Sequence, residues 1–181
     1  MRPRVGGNTG GVKMIYQTNR ALGAYINKWG CFLMAIIQKV EKNGNGLTFN
    51  ERDILGIYEN AKRHGFVSQE ETNKDGTAKD GCYVLEPQML YNMVAEMFGF
   101  RTRCLSYRSE DADYIPDITK GEEEILELKR DGLDGSHFVS GNGKKSKTVI
   151  GRIEFDPIES GSITARLGWI DSVRVFTTRS I

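Results

Sequence analysis

Apolar side chains crowd residues 31–43, "CFLMAIIQKVEKN", so densely that the segment predicts a buried helix, ended by the "NGNG" that follows. A second helix is predicted over 47–65, "LTFNERDILGIYENAKRHG". Thr48 or Asn50 can cap it, Glu51 and Asp53 suit its first turn, and Lys62, Arg63 and His64 suit its end before Gly65. A third follows in "EPQMLYNMVAEMFG", with Pro87 fitted to the first turn and Gly99 closing it. Met89, Met93 and Met97 recur there at helical spacing and read as core filling. The stretch "MIYQTNRALGAYINKWG" before the first helix carries mixed signals and reads as a loop with a short turn. Residues 69–81, polar and Gly-containing, read as an exposed loop.

After residue 99 the period changes. "FRTRCLSYR" alternates as a strand does, and 109–122, with Pro116, reads as a loop. "EEEILELKR" has an acidic start that suits a helix, but Leu126, Leu128 and Arg130 alternate. The strand reading is preferred because "DGLDG" behind it resembles a hairpin turn from which "SHFVSGN" pairs back. "KTVIGRIEFDP" and "WIDSVRVFTTR" supply two more strands. The acidic run "GEEEILE" reads as a solvated face and "GNGKKSK" as a basic hairpin tip. Helices first and strands afterwards imply an α+β fold, N-terminal helices packed on a mostly antiparallel C-terminal sheet. The expected organisation is a flexible arm over 1–13 and one domain over 14–181.

Composition narrows the classes. With 181 residues, 39% hydrophobic and 27% charged, the chain can form one ordinary globular core. A net charge of +1 gives no basic field for nucleic acid, so no nucleic-acid partner is expected. No apolar run approaches the roughly 20 residues of a membrane span, and the basic, Gly-rich start lacks the apolar stretch of a signal peptide. The expected location is therefore the cytoplasm, with delivery by a phage particle as a further route. Cys31, Cys82 and Cys104 are odd in number and widely spaced without a CxxC pair, which argues against a disulfide framework and a structural zinc site. With His64 and His137 as the sole histidines, a His-rich metal site is not expected, and neither is a cofactor.

Candidate chemistry centres on Cys31. A thiol at the first turn of a helix lies at the positive end of its dipole, which favours the nucleophilic thiolate, and nearby backbone N–H groups can stabilise an oxyanion. His137 sits early in a predicted strand, where an imidazole can be held rigidly beside a cleft. Asp156 ends the next strand before Pro157; if the two strands pair, its carboxylate can accept the imidazole N–H and fix the tautomer. Gln17 upstream carries an amide able to donate to an oxyanion. Taken singly, each has a plainer reading: Cys31 as a small buried hydrophobe, His137 as a half-exposed strand residue, Asp156 as a turn former, Gln17 as a polar loop residue. Trp29 either packs beside the site or lines a groove. Cys82 and Cys104 read as structural.

Together these pieces resemble the papain-like cysteine peptidase superfamily, most closely its bacterial double-glycine (bacteriocin-processing) peptidase-like branch. The resemblance spans residues 14–178 and rests on Gln17, "GC" at 30–31, the second helix, "SHFVSG" at 136–141, "IEFDP" at 153–157 and the closing "WIDSVRVF". The chain is also similar to a small uncharacterised family of spirochaete plasmids and phages. The resemblance implies Cys31 as nucleophile, His137 as general base, Asp156 as orienting carboxylate and Gln17 as oxyanion donor, acting on a peptide or protein substrate. Asn19 or the backbone N–H of Cys31 is the alternative donor, and Asn142 the alternative orienter. The chain departs from the pattern at Phe32, where related enzymes often carry a Gly or a small polar residue. A cysteine peptidase or amidase is thus the first functional expectation. A catalytically silent binding module of the same fold, or a phage or host-interaction protein, is the alternative.

Overall fold

The computed structural model describes residues 14–44 and 46–181; the arm expected over 1–13 lies outside them. Four of its five helices precede the main sheet: α1 (Gly23–Trp29), α2 (Cys31–Lys42), α3 (Glu51–Arg63) and α4 (Pro87–Met97). The strands of that sheet follow as β3 (Thr102–Asp111), β4 (Glu122–Lys129), β5 (His137–Gly141), β6 (Ile153–Phe155) and β7 (Trp169–Ser180). They pair antiparallel in the order β3-β7-β4-β5-β6. The predicted division into N-terminal helices and an antiparallel sheet is what the chain forms.

The central helix α2 buries Leu33, Met34, Ala35, Ile36, Ile37 and Val40. It packs with α3 and α4 into one core that reaches Ile125 and Phe176 of the sheet. On the opposite sheet face, Leu126, Leu128, Val139, Val173 and Val175 form a smaller cluster with Ala165 of α5 (Ile163–Leu167). Asn50, not Thr48, caps α3, in a reciprocal capping box with Asp53. Among the described residues no helix is long and apolar enough to cross a membrane.

Several local expectations are corrected. Residues 20–29 are helical rather than looped. Asn19 accepts from the Ala21 N–H to start the turn Arg20–Leu22, and buried Leu22 and Ile26, four apart, hold it to the core. The loop over 69–81 contains a small hairpin, β1 (Glu71–Thr72) with β2 (Ala78–Asp80), too short and polar to leave an apolar alternation. Strand β3 runs on to Asp111, because β7 is long enough to pair with it there. The strand read in "KTVIGRIEFDP" shrinks to β6 behind a 3-10 turn. Of the three helix-spaced methionines, only Met93 is buried, since the inward stripe of α4 is Leu90, Tyr91 and Val94; Met89 and Met97 face outward.

The acidic run is the largest correction. Glu122, Glu124 and Glu127 are buried in β4, the central strand, and each meets an arginine from another element. Arg108 pairs with Glu122, Arg152 with Glu124, and Arg174 with Glu127. These partners turn a charged run into the interior of a sheet.

Candidate active site

Helix α2 begins at Cys31, with Gly30 as N-cap and no capping side chain. Gly30 is needed for a steric reason: a Cβ there would lie 2.6 Å from the Ile26 carbonyl oxygen, so only glycine lets α1 turn directly into α2. Cys31 is thus delivered, nearly buried, to the floor of an open cleft of about 1090 Å³. Gln17, Trp29, Phe32, His137 and Ser162 line the same cleft.

His137 is the first residue of β5, and Asp156 directly follows β6, the strand paired with it. His137 Nε2 and Asp156 Oδ1 are 2.8 Å apart. With Nε2 taken, Nδ1 is the ring nitrogen left to face Cys31, which lines the same cleft. Burial works against a charged imidazole here. Hydrogen bonds to Asp156 and Cys31, with the charges on both, outweigh it and hold His137 up to about 9. Asp156 shows the mirror case: burial pushes its carboxyl up, but the hydrogen bond and charge of His137, with donors from Ile158 and Ser162, hold it below the ordinary range. The ion-pair geometry with Asp156 thus favours the charged imidazole near neutrality.

Gln17 is brought to the cleft by a backbone hydrogen bond from its N–H to the Pro157 carbonyl, 2.8 Å. Its Nε2 donates to the Asn27 carbonyl at 3.1 Å, and the Asn27 amide donates back to the Gln17 carbonyl at 2.6 Å. A carbonyl accepts only from a donor, so this bond fixes which way the Gln17 amide faces. One Nε2 proton is left over from it, and the buried Oε1 has no protein partner. The two side-chain alternatives are occupied elsewhere. Asn19 caps the turn after it and donates to Glu51 Oε1 at 3.0 Å. Asn142, in the loop after β5, donates to the Gly151 carbonyl. The geometry therefore gathers Cys31, His137, Asp156 and Gln17 and leaves Asn19 and Asn142 outside.

Two contributors were not singled out from the sequence as parts of a site. Phe32 stacks on Phe138 with centroids 4.3 Å apart and planes at 14°. Each ring is one residue beyond a member of the Cys31–His137 pair, so the bulky side chain after the cysteine ties α2 to β5. Ser162 gives Asp156 two hydrogen bonds, from its backbone N–H at 2.9 Å and its hydroxyl at 2.8 Å. A signal for Ser162 existed, because Ser before "ITARL" is a helix N-cap pattern. The remaining thiols stand apart. Burial pushes Cys82 up to about 12 and Cys104 up to about 11, so both stay protonated near neutrality. Among the described residues no group of three or more His, Cys, Asp or Glu is arranged to hold a metal ion.

An α-helical N-terminal half, an antiparallel sheet and a buried Cys–His–Asp constellation at their junction define this molecule. The chain belongs to the family described as "Protein of unknown function, DUF261", whose model matches residues 13–178. No curated protein and no solved structure matches it.

Proposed function

We propose that the protein is a papain-like cysteine peptidase or amidase that cleaves a peptide or isopeptide bond through Cys31, His137 and Asp156. The observation that carries this reading is the His137 ring, bonded to the Asp156 carboxylate at 2.8 Å, lining one open cleft with Cys31 at the start of α2. Cys31 as thiolate adds through Sγ to the substrate carbonyl carbon. The oxygen that gains charge lies toward the spare N–H of Gln17 and the start of α2. As the C–N bond breaks, the proton held on His137 goes to the leaving amine, and Cys31 is acylated. Water then attacks the thioester, giving its proton to His137, and the acid leaves with Cys31 restored. Asp156 keeps the ring oriented throughout and stabilises the imidazolium without taking its proton.

A cleft of about 1090 Å³ exceeds what a single small amide fills and suits several residues of a peptide chain. One observation favours the alternative, a silent binding module or phage or host-interaction protein: the Gln17 amide donates to Asn27 rather than standing free. Labelling with a peptidyl acyloxymethyl ketone separates the two. Stoichiometric adduct at Cys31, lost in His137→Ala, is expected of the peptidase. No adduct at Cys31 across a panel of such peptides, in folded protein, overturns it in favour of the binding module.

A further inference from the structure

We infer that Ser162 is a positioning residue for the His137–Asp156 pair, its hydroxyl locking the carboxylate in the rotamer that holds the imidazole. This rests on the reading of His137 and Asp156 as a functional pair. Asp156 Oδ1 receives His137 Nε2 at 2.8 Å and the Ile158 N–H at 3.0 Å. Oδ2 receives the Ser162 N–H at 2.9 Å and the Ser162 hydroxyl at 2.8 Å. A carboxylate offers about four acceptor sites, so all are filled and no rotation keeps every bond.

The two backbone donors come with the turn over 157–161, where Ser160 and Gly161 both take left-handed backbone angles, φ 65° and 82°. The hydroxyl is the one donor besides His137 that a side chain supplies. Its direction is fixed from behind, because Ser162 Oγ also accepts the Ala165 N–H at 3.0 Å as N-cap of α5. A relay of donors ends on Asp156: the Ala165 N–H donates to the Ser162 hydroxyl, the hydroxyl donates to Asp156 Oδ2, and the imidazolium of His137 donates to Oδ1. The Ala165 N–H polarises the Ser162 hydroxyl and so strengthens its bond to the carboxylate. Ser162 is itself buried, at 7% exposure, so water does not compete for its hydroxyl. It acts only through Asp156. Because α5 also puts Ile163 and Thr164 on the cleft wall, the relay links that wall to the pair.

Three readouts test this, none of which requires turnover: the His137 imidazole titration by NMR, the rate of Cys31 alkylation by iodoacetamide, and the melting temperature. Among the described residues, the titratable groups acting on His137 are Cys31 from α2 and Asp156 from the turn after β6. Ser162→Gly removes the hydroxyl, keeps the backbone N–H and weakens an N-cap least. Its His137 midpoint should fall by about one unit toward ~6.5, and Cys31 alkylation at neutral pH by up to about tenfold. Ser162→Thr, which retains the hydroxyl, should restore both. If Ser162→Gly lowers only the melting temperature and leaves midpoint and alkylation at wild-type values, Ser162 is merely a helix cap and the inference fails. Should that variant not fold, the wild-type protein still decides: the Ser162 amide proton should shift through the His137 midpoint, and an amide that stays flat there overturns the relay. A protein that passes these tests yet takes no peptidyl label loses the peptidase reading alone.

Discussion

Asp156 and Glu124 are buried carboxylates one strand apart, and the contrast between them separates site from frame. Asp156 follows β6; Glu124 sits in β4, beyond β5. Their side chains are 9% and 0% exposed, and each is filled with donors. Glu124 takes the Arg152 guanidinium through Nε at 3.0 Å and Nη2 at 2.5 Å, and the Gly143 N–H at 3.0 Å. Burial and hydrogen bonding are thus shared; the partner differs. A guanidinium stays charged at every accessible pH, so the Glu124–Arg152 pair is a fixed strut. An imidazole gains and loses its proton in the neutral range, so the same carboxylate geometry beside His137 can steer proton transfer.

The largest expected effect breaks the comparison on the cleft side. Cys31→Ala and His137→Ala should each lower hydrolysis of a cleaved peptide by roughly 10³-fold or more. Melting temperature should fall little for Cys31→Ala, which removes one sulfur beside an open cleft. A peptide cut equally fast by Cys31→Ala would show that the constellation is not the catalyst. On the frame side, Arg152→Ala leaves a buried carboxylate without its cation and should cost about 3–5 kcal/mol in denaturant unfolding. The alkylation rate of Cys31 in the fraction that remains folded should be unchanged. If that rate collapses with the fold intact, frame and site are not separable as argued.

A smaller effect follows from pH. The folded-state value of about 9 for His137 lies above the ~6.5 of an unfolded chain, so the imidazolium stabilises the fold. That contribution is complete below the unfolded value and disappears as pH rises through the folded one, a loss on the order of 2 kcal/mol between about pH 6 and 8. The buried thiols of Cys82 and Cys104 add their own loss only at higher pH, because ordinary thiols ionise near ~8.5. His137→Gln should flatten unfolding free energies across the lower window; an unchanged slope there would assign it to other groups. Arg152→Lys, by contrast, should leave the slope as it is.

The same contrast explains what the sequence discloses. That Cys31, His137 and Asp156 meet was legible because each stands at or just beyond the end of an element, and because paired strands bring their ends together. The four long elements α2, α3, α4 and β7 declare themselves by local pattern alone. Glu122 and Glu124 did not, because what buries them lies elsewhere in the chain: Arg152 is 28 residues beyond Glu124, and a carboxylate's burial depends on its partner. Short elements failed for another reason. β1 and β2, of two and three residues, are too brief to show a period, and α5, of five, is little more than one turn. The helix over 23–29 was obscured by Gly23 at its start, although Leu22 and Ile26 already carried its apolar stripe.

The finest test lies where frame and site meet, at Phe32 and Phe138. Their near-parallel stack joins α2 to β5 one residue from Cys31 and one from His137. Phe138 is opposite Glu127 in the β4–β5 ladder, and the Arg174 guanidinium lies 5.9 Å from its ring. The Glu127–Arg174 pair, itself on the cleft wall, therefore reaches the site through this aromatic contact and through Ser136, whose hydroxyl donates to Glu127 Oε1 at 2.6 Å. Phe32→Ala should cost about 1–2 kcal/mol, the worth of an aromatic pair plus partial burial. If the stack also sets the distance between thiol and imidazole, Cys31 alkylation at neutral pH should slow a few-fold, and Phe32→Leu should recover part of the stability but less of the rate. Should stability fall while the rate holds in both variants, the stack belongs to the frame alone, and the elements carrying Cys31 and His137 are aligned by α2 and the sheet without it.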